Sequence, residues 1–336
     1  MSQALSLKEY LEEAGHTVEG VCLGSRPDPE VPGYFSEAFA GRLHYFQSPY
    51  FLRTPNKKGI YIGRTLLLHL LRFPLYLMEA RRIRKLIRVL KPGVVFNFYE
   101  LVGALALRRP LPGVKRMGVG HHFFLHLDHY RCQGGSLWHR FLLKTHTRII
   151  MRSCDRVLAL SFREVNSTTE IQVVPPLVRR SFRDISYRQG ERYLAYFLNE
   201  GRLYDLVRLA RTHPDLRVDL FTSLNPGSEL PEGIALHPFD EDRFIQLMAS
   251  CRGLITSAGF DTVAEAAFHG IPLIVIPVTN HFEQLCNAAD IARSGIGVSV
   301  TGLNQEVLGD MRQKDPAGYR AWAAGAGAHV LKWMNE

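Results

Sequence analysis

The sequence predicts an α/β protein built as two doubly wound lobes, and three observations carry that expectation. Its 336 residues are too many for one ordinary core and suit two domains of roughly 150 residues each. The second half alternates apolar, β-branched runs with amphipathic segments, the pattern of a parallel sheet covered on both faces. Between the halves, "VNSTTEIQVVPPLVRRSFRDISYRQGERY" loses periodicity and turns polar and basic around Pro175 and Pro176. An N-terminal lobe is therefore expected over 1–165, a linker over 166–190, a second lobe over 191–302 and a helical tail over 303–336.

The opening "SQALSLKEYLEEAGHTVEGVCLG" reads as an amphipathic helix stopped at Gly15, followed by a strand from Thr17 to Leu23. A doubly wound domain normally opens on a strand, so a first strand is missing from the sequence as given. A long basic and apolar helical region runs to Leu90, then the strands "GVVFNFY" and "VKRMGVG", the helix "LWHRFLLKTHTRIIMRS" and the strand "RVLALS". Beyond the linker come the strand "RYLAYFL", helix 201–212, the strands "RVDLFT" and "IALHP", the helix "DEDRFIQLMASC" and the strand "RGLITS". Helix 261–269, the strand "PLIVIP", helix 281–294 and the strand "GIGVSV" complete the second lobe.

A composition 46% hydrophobic and 22% charged is that of a globular protein. The five cysteines, at 22, 132, 154, 251 and 286, form no C-x-x-C pair, which argues against a metal or redox motif and for a reducing compartment. No charged leader with a long apolar core opens the chain, and no apolar run reaches the about 18 residues of a membrane span. The formal charge of +9 calls for an anionic partner. Between Lys57 and Lys91 stand ten Lys or Arg and one acid, Glu79, which matches the whole net charge. Leu and aromatic residues interleave with those cations, as in a helix lying on an anionic membrane surface. Arg64, Arg72, Arg81, Arg82, Arg84, Lys85 and Arg88 are its expected membrane-facing side chains. The alternatives are a solvated helix face or core packing; no nucleic-acid module is visible, so nucleic acid is not an expected partner.

The chemistry concentrates in "TSAGFDTVAEAAFHGIPLIVIP", Thr256 to Pro277. Ser257, Ala258 and Gly259 let the backbone approach a ligand closely, and the following helix N-terminus offers unpaired N–H groups to a phosphate. Glu265, one turn into the helix, is placed to accept two hydrogen bonds from a ribose diol. Thr262 with Glu265 also fits a capping box that needs no ligand. Gln284 and Asn287, three apart and on one helix face, could bond the hydroxyls of a sugar on the diphosphate, or be plain surface amides.

Taken together, Ala258, Gly259, Thr262, Glu265, Gly270, Pro272, Pro277, Gln284, Asn287 and Ala288 resemble the donor-binding motif of glycosyltransferases of the GT-B fold. The chain looks like the bacterial UDP-glycosyltransferase-like members, which share their architecture with the N-acetylglucosaminyltransferase of the peptidoglycan precursor. The resemblance implies two Rossmann-like lobes around a central cleft and metal-independent, inverting transfer of a hexose. It implies a nucleotide-sugar donor, a UDP-sugar as co-substrate with no other cofactor, and a hydroxyl acceptor, lipid-linked, at the cytoplasmic face of the membrane. It also places Phe239 and Asp240 near the base. The first motif glycine is here Ala258, and a histidine common in plant and animal members is Ser257, which keeps backbone donors but loses a side-chain contact. Family members usually supply the catalytic base or bind the acceptor from a Gly-His loop ahead of the first helix. Within this sequence the remaining candidates are His121 and His122, after a strand, and Glu100, which could instead cap a helix. Three rival readings are a UDP-sugar 2-epimerase-like isomerase, a non-catalytic donor-binding or membrane-recruiting subunit, and a nucleic-acid binder. No Asp-x-Asp motif is present to hold a metal.

Overall fold

The computed structural model describes residues 1–25, 31–50, 52, 61–127, 137–197, 200–222, 229–278, 281–309, 311 and 316–336. The N-terminal lobe begins with α1 (Ser2–Glu13), whose exit is turned by Gly15 at φ 82°, a left-handed conformation that suits glycine. β1 (Val21–Ser25) follows, later than the predicted strand because its ladder starts at Val21, opposite Leu43 of β2 (Leu43–Gln47). Between them lies α2 (Gly33–Ala38). The basic region forms two helices, α3 (Ile62–Leu71) and α4 (Phe73–Leu90), separated at Arg72 just before Pro74.

β3 (Val94–Asn97), α5 (Leu101–Leu107), β4 (Lys115–Gly120), a 3-10 turn (His121–His126), α6 (Leu137–Met151), β5 (Arg156–Leu160) and β6 (Ile171–Val174) complete this lobe. All strand pairs are parallel, and the strands form two groups, β1-β2 and β3-β4-β5-β6. β6 falls inside the predicted linker. "IQVV" is too short for periodicity to reveal, yet all four residues are buried beside β5. The chain between the lobes is therefore shorter than 166–190, running from Pro175 through α7 (Arg180–Arg183).

The second lobe contains β7 (Tyr193–Tyr196), α8 (Glu200–Thr212), β8 (Val218–Phe221), β9 (Ile234–His237), α9 (Glu241–Met248) and β10 (Leu254–Thr256). It continues through α10 (Phe260–Phe268), β11 (Leu273–Val275), α11 (Phe282–Ser294) and β12 (Val298–Ser299). Its parallel sheet runs β12-β11-β10-β7-β8-β9. Successive strand residues feed opposite cores: Leu254, Leu273 and Val275 pack on one face, Ile255 and Ile274 on the other. The tail, α12 (Gln305–Gly309), α13 (Pro316–Ala324) and α14 (Ala326–Asn335), is helical as expected and spans both lobes. The Tyr319 hydroxyl donates to the Ala264 carbonyl at 3.2 Å, while Val330 and Met334 share a core with Leu7 and Leu11.

Among the described residues no helix is long and apolar enough to cross a membrane. Cys22, Cys154 and Cys251 are free thiols. Cys286 is disulfide-bonded, a pairing that the cysteine spacing did not suggest.

Candidate functional site

Strand order reverses between β7 and β10, because the chain winds outward from β7 to β9 and then crosses back to lay β10 on the other side of β7. In open parallel sheets that reversal opens a crevice at the carboxyl ends of the strands. The loop after β10 sits there. Thr256 Oγ1 donates to the Tyr196 carbonyl at 3.0 Å, tying the ends of β10 and β7, and Gly259 N donates to the Ser257 carbonyl at 2.7 Å. Gly259 is the N-cap of α10 and offers no side chain to its first N–H groups. A Cβ added at Gly259 would meet no atom within 4 Å, so the space over this helix end is open. Ala258 is fully buried beneath it. Because α10 starts at Phe260, Thr262 lies inside the helix, and the capping-box alternative does not apply. Gly270, at φ 72°, ends the helix in the left-handed turn that the motif's glycine serves.

Both amides of α11 brace loops. Asn287 Nδ2 donates to the Ala258 carbonyl at 3.0 Å, and its buried Oδ1 has no hydrogen-bond partner. Gln284 Oε1 accepts from Val278 N at 2.9 Å, which fixes the loop after β11. These are positioning roles where the sequence suggested sugar contacts.

Glu265 also differs from the open carboxylate expected for a ribose. It is 2% exposed, and its Oε1 lies 2.6 Å from Arg179 Nε. Arg179 Nη1 is bonded to Glu241 as well, and its guanidinium stacks over Phe182 at 4.4 Å and Tyr34 at 5.6 Å. Burial pushes the Glu265 carboxyl up to about 7, against the opposing pull of Arg179. Arg179 is held above its ordinary value: burial opposes its charge, but the two carboxylates outweigh it. Sequence reasoning missed Arg179 and Glu241. The one signal was an arginine directly after a rigid "PPLV" between two lobes.

Phe239, past the end of β9, is 56% exposed, with its ring 5.8 Å from that of Tyr196. Asp240 caps α9 by accepting from Arg243 N at 2.7 Å, leaving the loop backbone to any ligand. Across the cleft Glu100 caps α5, accepting from Gly103 N and from Ser48 Oγ, and burial raises its pKa. His121 is buried, its Nδ1 donating to the Leu160 carbonyl at 2.8 Å and its ring packed against Phe124, Phe162 and Phe260. Burial lowers its pKa, so it is a neutral packing residue. His122 turns the other way, toward α11, with Nε2 3.2 Å from Glu283 Oε1. The two neighbours are thus not equivalent.

On the basic helices, Leu66, Leu67, Leu70, Leu71, Phe73 and Met78 are exposed together with Arg64, Arg81, Lys85 and Arg88. Arg84 departs from the membrane-facing set: half-buried, it lies across the end of α5 and donates to the carbonyls of Ala106, Arg109 and Pro110. Arg82 is exposed but pairs with the buried Glu79 at 3.0 Å, and Arg72 is half-buried near Tyr50. Lys57 and Lys58 lie outside the described residues. A separate cavity of about 710 Å³, lined by Arg148, Arg152, Thr168 and Thr169, lies at the amino ends of β5 and β6, away from the donor loop. Among the described residues no three His, Cys, Asp or Glu side chains gather as a metal site.

The chain is 47% identical over 58 residues to the UDP-N-acetylglucosamine–N-acetylmuramyl-(pentapeptide) pyrophosphoryl-undecaprenol N-acetylglucosamine transferase of Deinococcus deserti, covering 16% of this chain and 15% of that one. An uncharacterized glycosyltransferase of Methanosarcina acetivorans is 24% identical over 241 residues, 66% of this chain and 63% of its own length. The chain thus spans less than two thirds of these relatives. Among solved structures, MurG of Acinetobacter baumannii superposes over 99% of this chain and 95% of its own, with a TM-score of 0.59 at 17% identity. The spinosyn rhamnosyltransferase SpnG complexed with thymidine diphosphate covers 99% and 92%, with a TM-score of 0.54 at 15% identity. These likenesses establish the GT-B fold of two Rossmann-like lobes. Residues 55–316 match the family described as Glycosyl transferase family 1. With more than half of its length inside that match, the chain belongs to glycosyl transferase family 1.

Proposed function

We propose that the protein moves a sugar from a UDP-sugar to a hydroxyl of a lipid-linked acceptor at the cytoplasmic face of an anionic membrane. The observation that carries the donor half is the uncapped N-terminus of α10, open at the strand-order reversal beside β7. Its free N–H groups and positive dipole end suit a diphosphate, and such a site stabilises the leaving phosphate as charge develops on it. Phe239 offers an exposed aromatic face to the base. The choice of UDP follows the donor in the name of the Deinococcus deserti relative; the thymidine diphosphate bound to SpnG makes TDP the comparison nucleotide. Transfer needs the acceptor oxygen to bond the anomeric carbon as the bond to the diphosphate breaks. The electron pair leaves with the phosphate and the hydroxyl proton goes to a base. This scheme routes no step through a metal.

The acceptor half rests on α3 and α4, where exposed leucines, Phe73 and Met78 stand beside exposed cations. Calorimetry of the full chain with UDP and TDP tests the donor reading, with UDP expected to bind the tighter. No binding of either nucleotide would overturn it. Sedimentation with phosphatidylserine vesicles against phosphatidylcholine vesicles tests the membrane reading, which predicts retention on the anionic ones alone.

A further inference from the structure

His122 and Glu283 come from different lobes and meet where the ends of the N-terminal strands face α11, the helix whose Gln284 and Asn287 brace the donor loops. The imidazole lies flat on Tyr99, ring centroids 4.2 Å apart and 21° between planes. Tyr99 is itself in the left-handed region, at φ 56°, which a bulky side chain rarely adopts. Its hydroxyl is hydrogen-bonded to Thr147 Oγ1, and its ring is held edge-on by Phe123 and His146. A strained residue fixed from several sides at a strand end is a mark of a functional position. Of the two histidines that follow β4, His122 is the one with a ring nitrogen available: Nε2 is buried 3.2 Å from the Glu283 carboxylate, its one polar neighbour, whereas Nδ1 has no partner among the described residues and is not buried. If Nε2–H donates to Glu283, the tautomer is set with the Nδ1 lone pair free.

We propose that Glu283 is the positioning residue for His122, and that His122 Nδ1 takes the proton of the acceptor hydroxyl. The inference rests on the glycosyl-transfer reading above. As the hydroxyl oxygen bonds the anomeric carbon, its proton moves to Nδ1. The anomeric bond to the diphosphate breaks with its electron pair on the phosphate oxygen, and the imidazolium formed is held by Glu283. Glu283 is suited to this: its side chain is only half-buried, and although desolvation raises its pKa, the charge of a protonated His122 and the contact with it outweigh that and pull it down to about 2, so it stays ionised beside the imidazolium. The other titratable or charged groups around the pair are Tyr99, His121 and His146 from the N-terminal lobe, His281 at the N-cap of α11, Asp290 within it, and Arg163 against Asp290.

The test uses the full chain with UDP-N-acetylglucosamine as donor and water as acceptor, following UDP release against pH, with UDP affinity by calorimetry. General-base catalysis is worth about 100-fold or more. Glu283→Gln should lower release toward that extent, move the acidic limb of the profile to lower pH and leave UDP affinity unchanged. Glu283→Asp should restore part of the rate, and His122→Gln should abolish the limb. An unaltered limb in Glu283→Gln, or UDP affinity falling in step with the rate, would overturn the proposal. An NMR measurement of the imidazole nitrogens judges the pair apart from turnover: His122 should carry its proton on Nε2 in wild type and lose that preference in Glu283→Gln, and an unchanged tautomer counts against the pair. Failure of the donor reading shows separately, as a wild type that binds no UDP.

Discussion

Replacing Glu265 with glutamine should change how stability depends on pH, in a direction set by the sign of its shift. The carboxyl is raised from 4.5 to about 7 in the fold. Between those values the folded chain holds a proton that the unfolded chain has released, so stability declines as pH rises through the window and is flat outside it. A shift of this size corresponds to about 3 kcal/mol, at about 1.4 kcal/mol per unit. Arg179 is already included in that figure, since its attraction opposes the burial that drives the shift. A carboxamide mimics the protonated acid and does not titrate. Relative to wild type, Glu265→Gln should therefore gain about 3 kcal/mol between pH 4.5 and pH 7.5. Urea unfolding at four or five pH values, read as midpoint and slope, measures the difference. A variant whose stability runs parallel to wild type over the whole range would refute the reasoning.

Other consequences are as direct. Asn287→Ala removes the amide that holds the Ala258 carbonyl, should cost about 1–3 kcal/mol in urea unfolding, and should weaken UDP binding by loosening the loop. Phe239→Ala should leave stability within about 0.5 kcal/mol because the ring is exposed, yet weaken UDP binding in calorimetry; equal affinity would remove the base contact. Exchanging the exposed Arg81, Lys85 and Arg88 for glutamine should weaken binding to phosphatidylserine vesicles by about 3 kcal/mol, about 1 per cation. Arg84→Gln should instead lower thermal stability, because it deprives three carbonyls of their donor.

The second lobe was legible because its strands are continuous apolar runs and its helices carry clear stops, so α9, α10 and α11 begin within a residue or two of their predicted starts. The short elements were not: α2, β2 and β6 span four to six residues each, too few for either periodicity to show. At the site, the sequence located the loop and helix but not the allegiance of the side chains. Glu265 pairs with Arg179, 86 positions away, a contact that no spacing rule encodes. Arg84 shares its spacing with true surface cations, and its long stem lets it fold back onto the end of α5. His121 and His122 are adjacent in sequence and chemically identical, and only the direction each leaves the turn after β4 separates a packed ring from an available one.

The N-terminal strands bear on how the protein will behave in solution. Because β1 bonds β2 alone and β3 bonds β4 alone, each keeps a second edge with no strand beside it among the described residues. Val94 and Phe96 pack against the core of Leu7, Leu11, Val330 and Met334, and Val95 against that of Tyr76, Ile83 and Val102, so what these edges leave open is their backbone N–H and C=O groups. Open strand edges invite a strand from another molecule. Concentration-dependent self-association should therefore begin here, ahead of any loss of the second lobe, and slow amide exchange in β1 and β3 at high protein concentration would be its first sign.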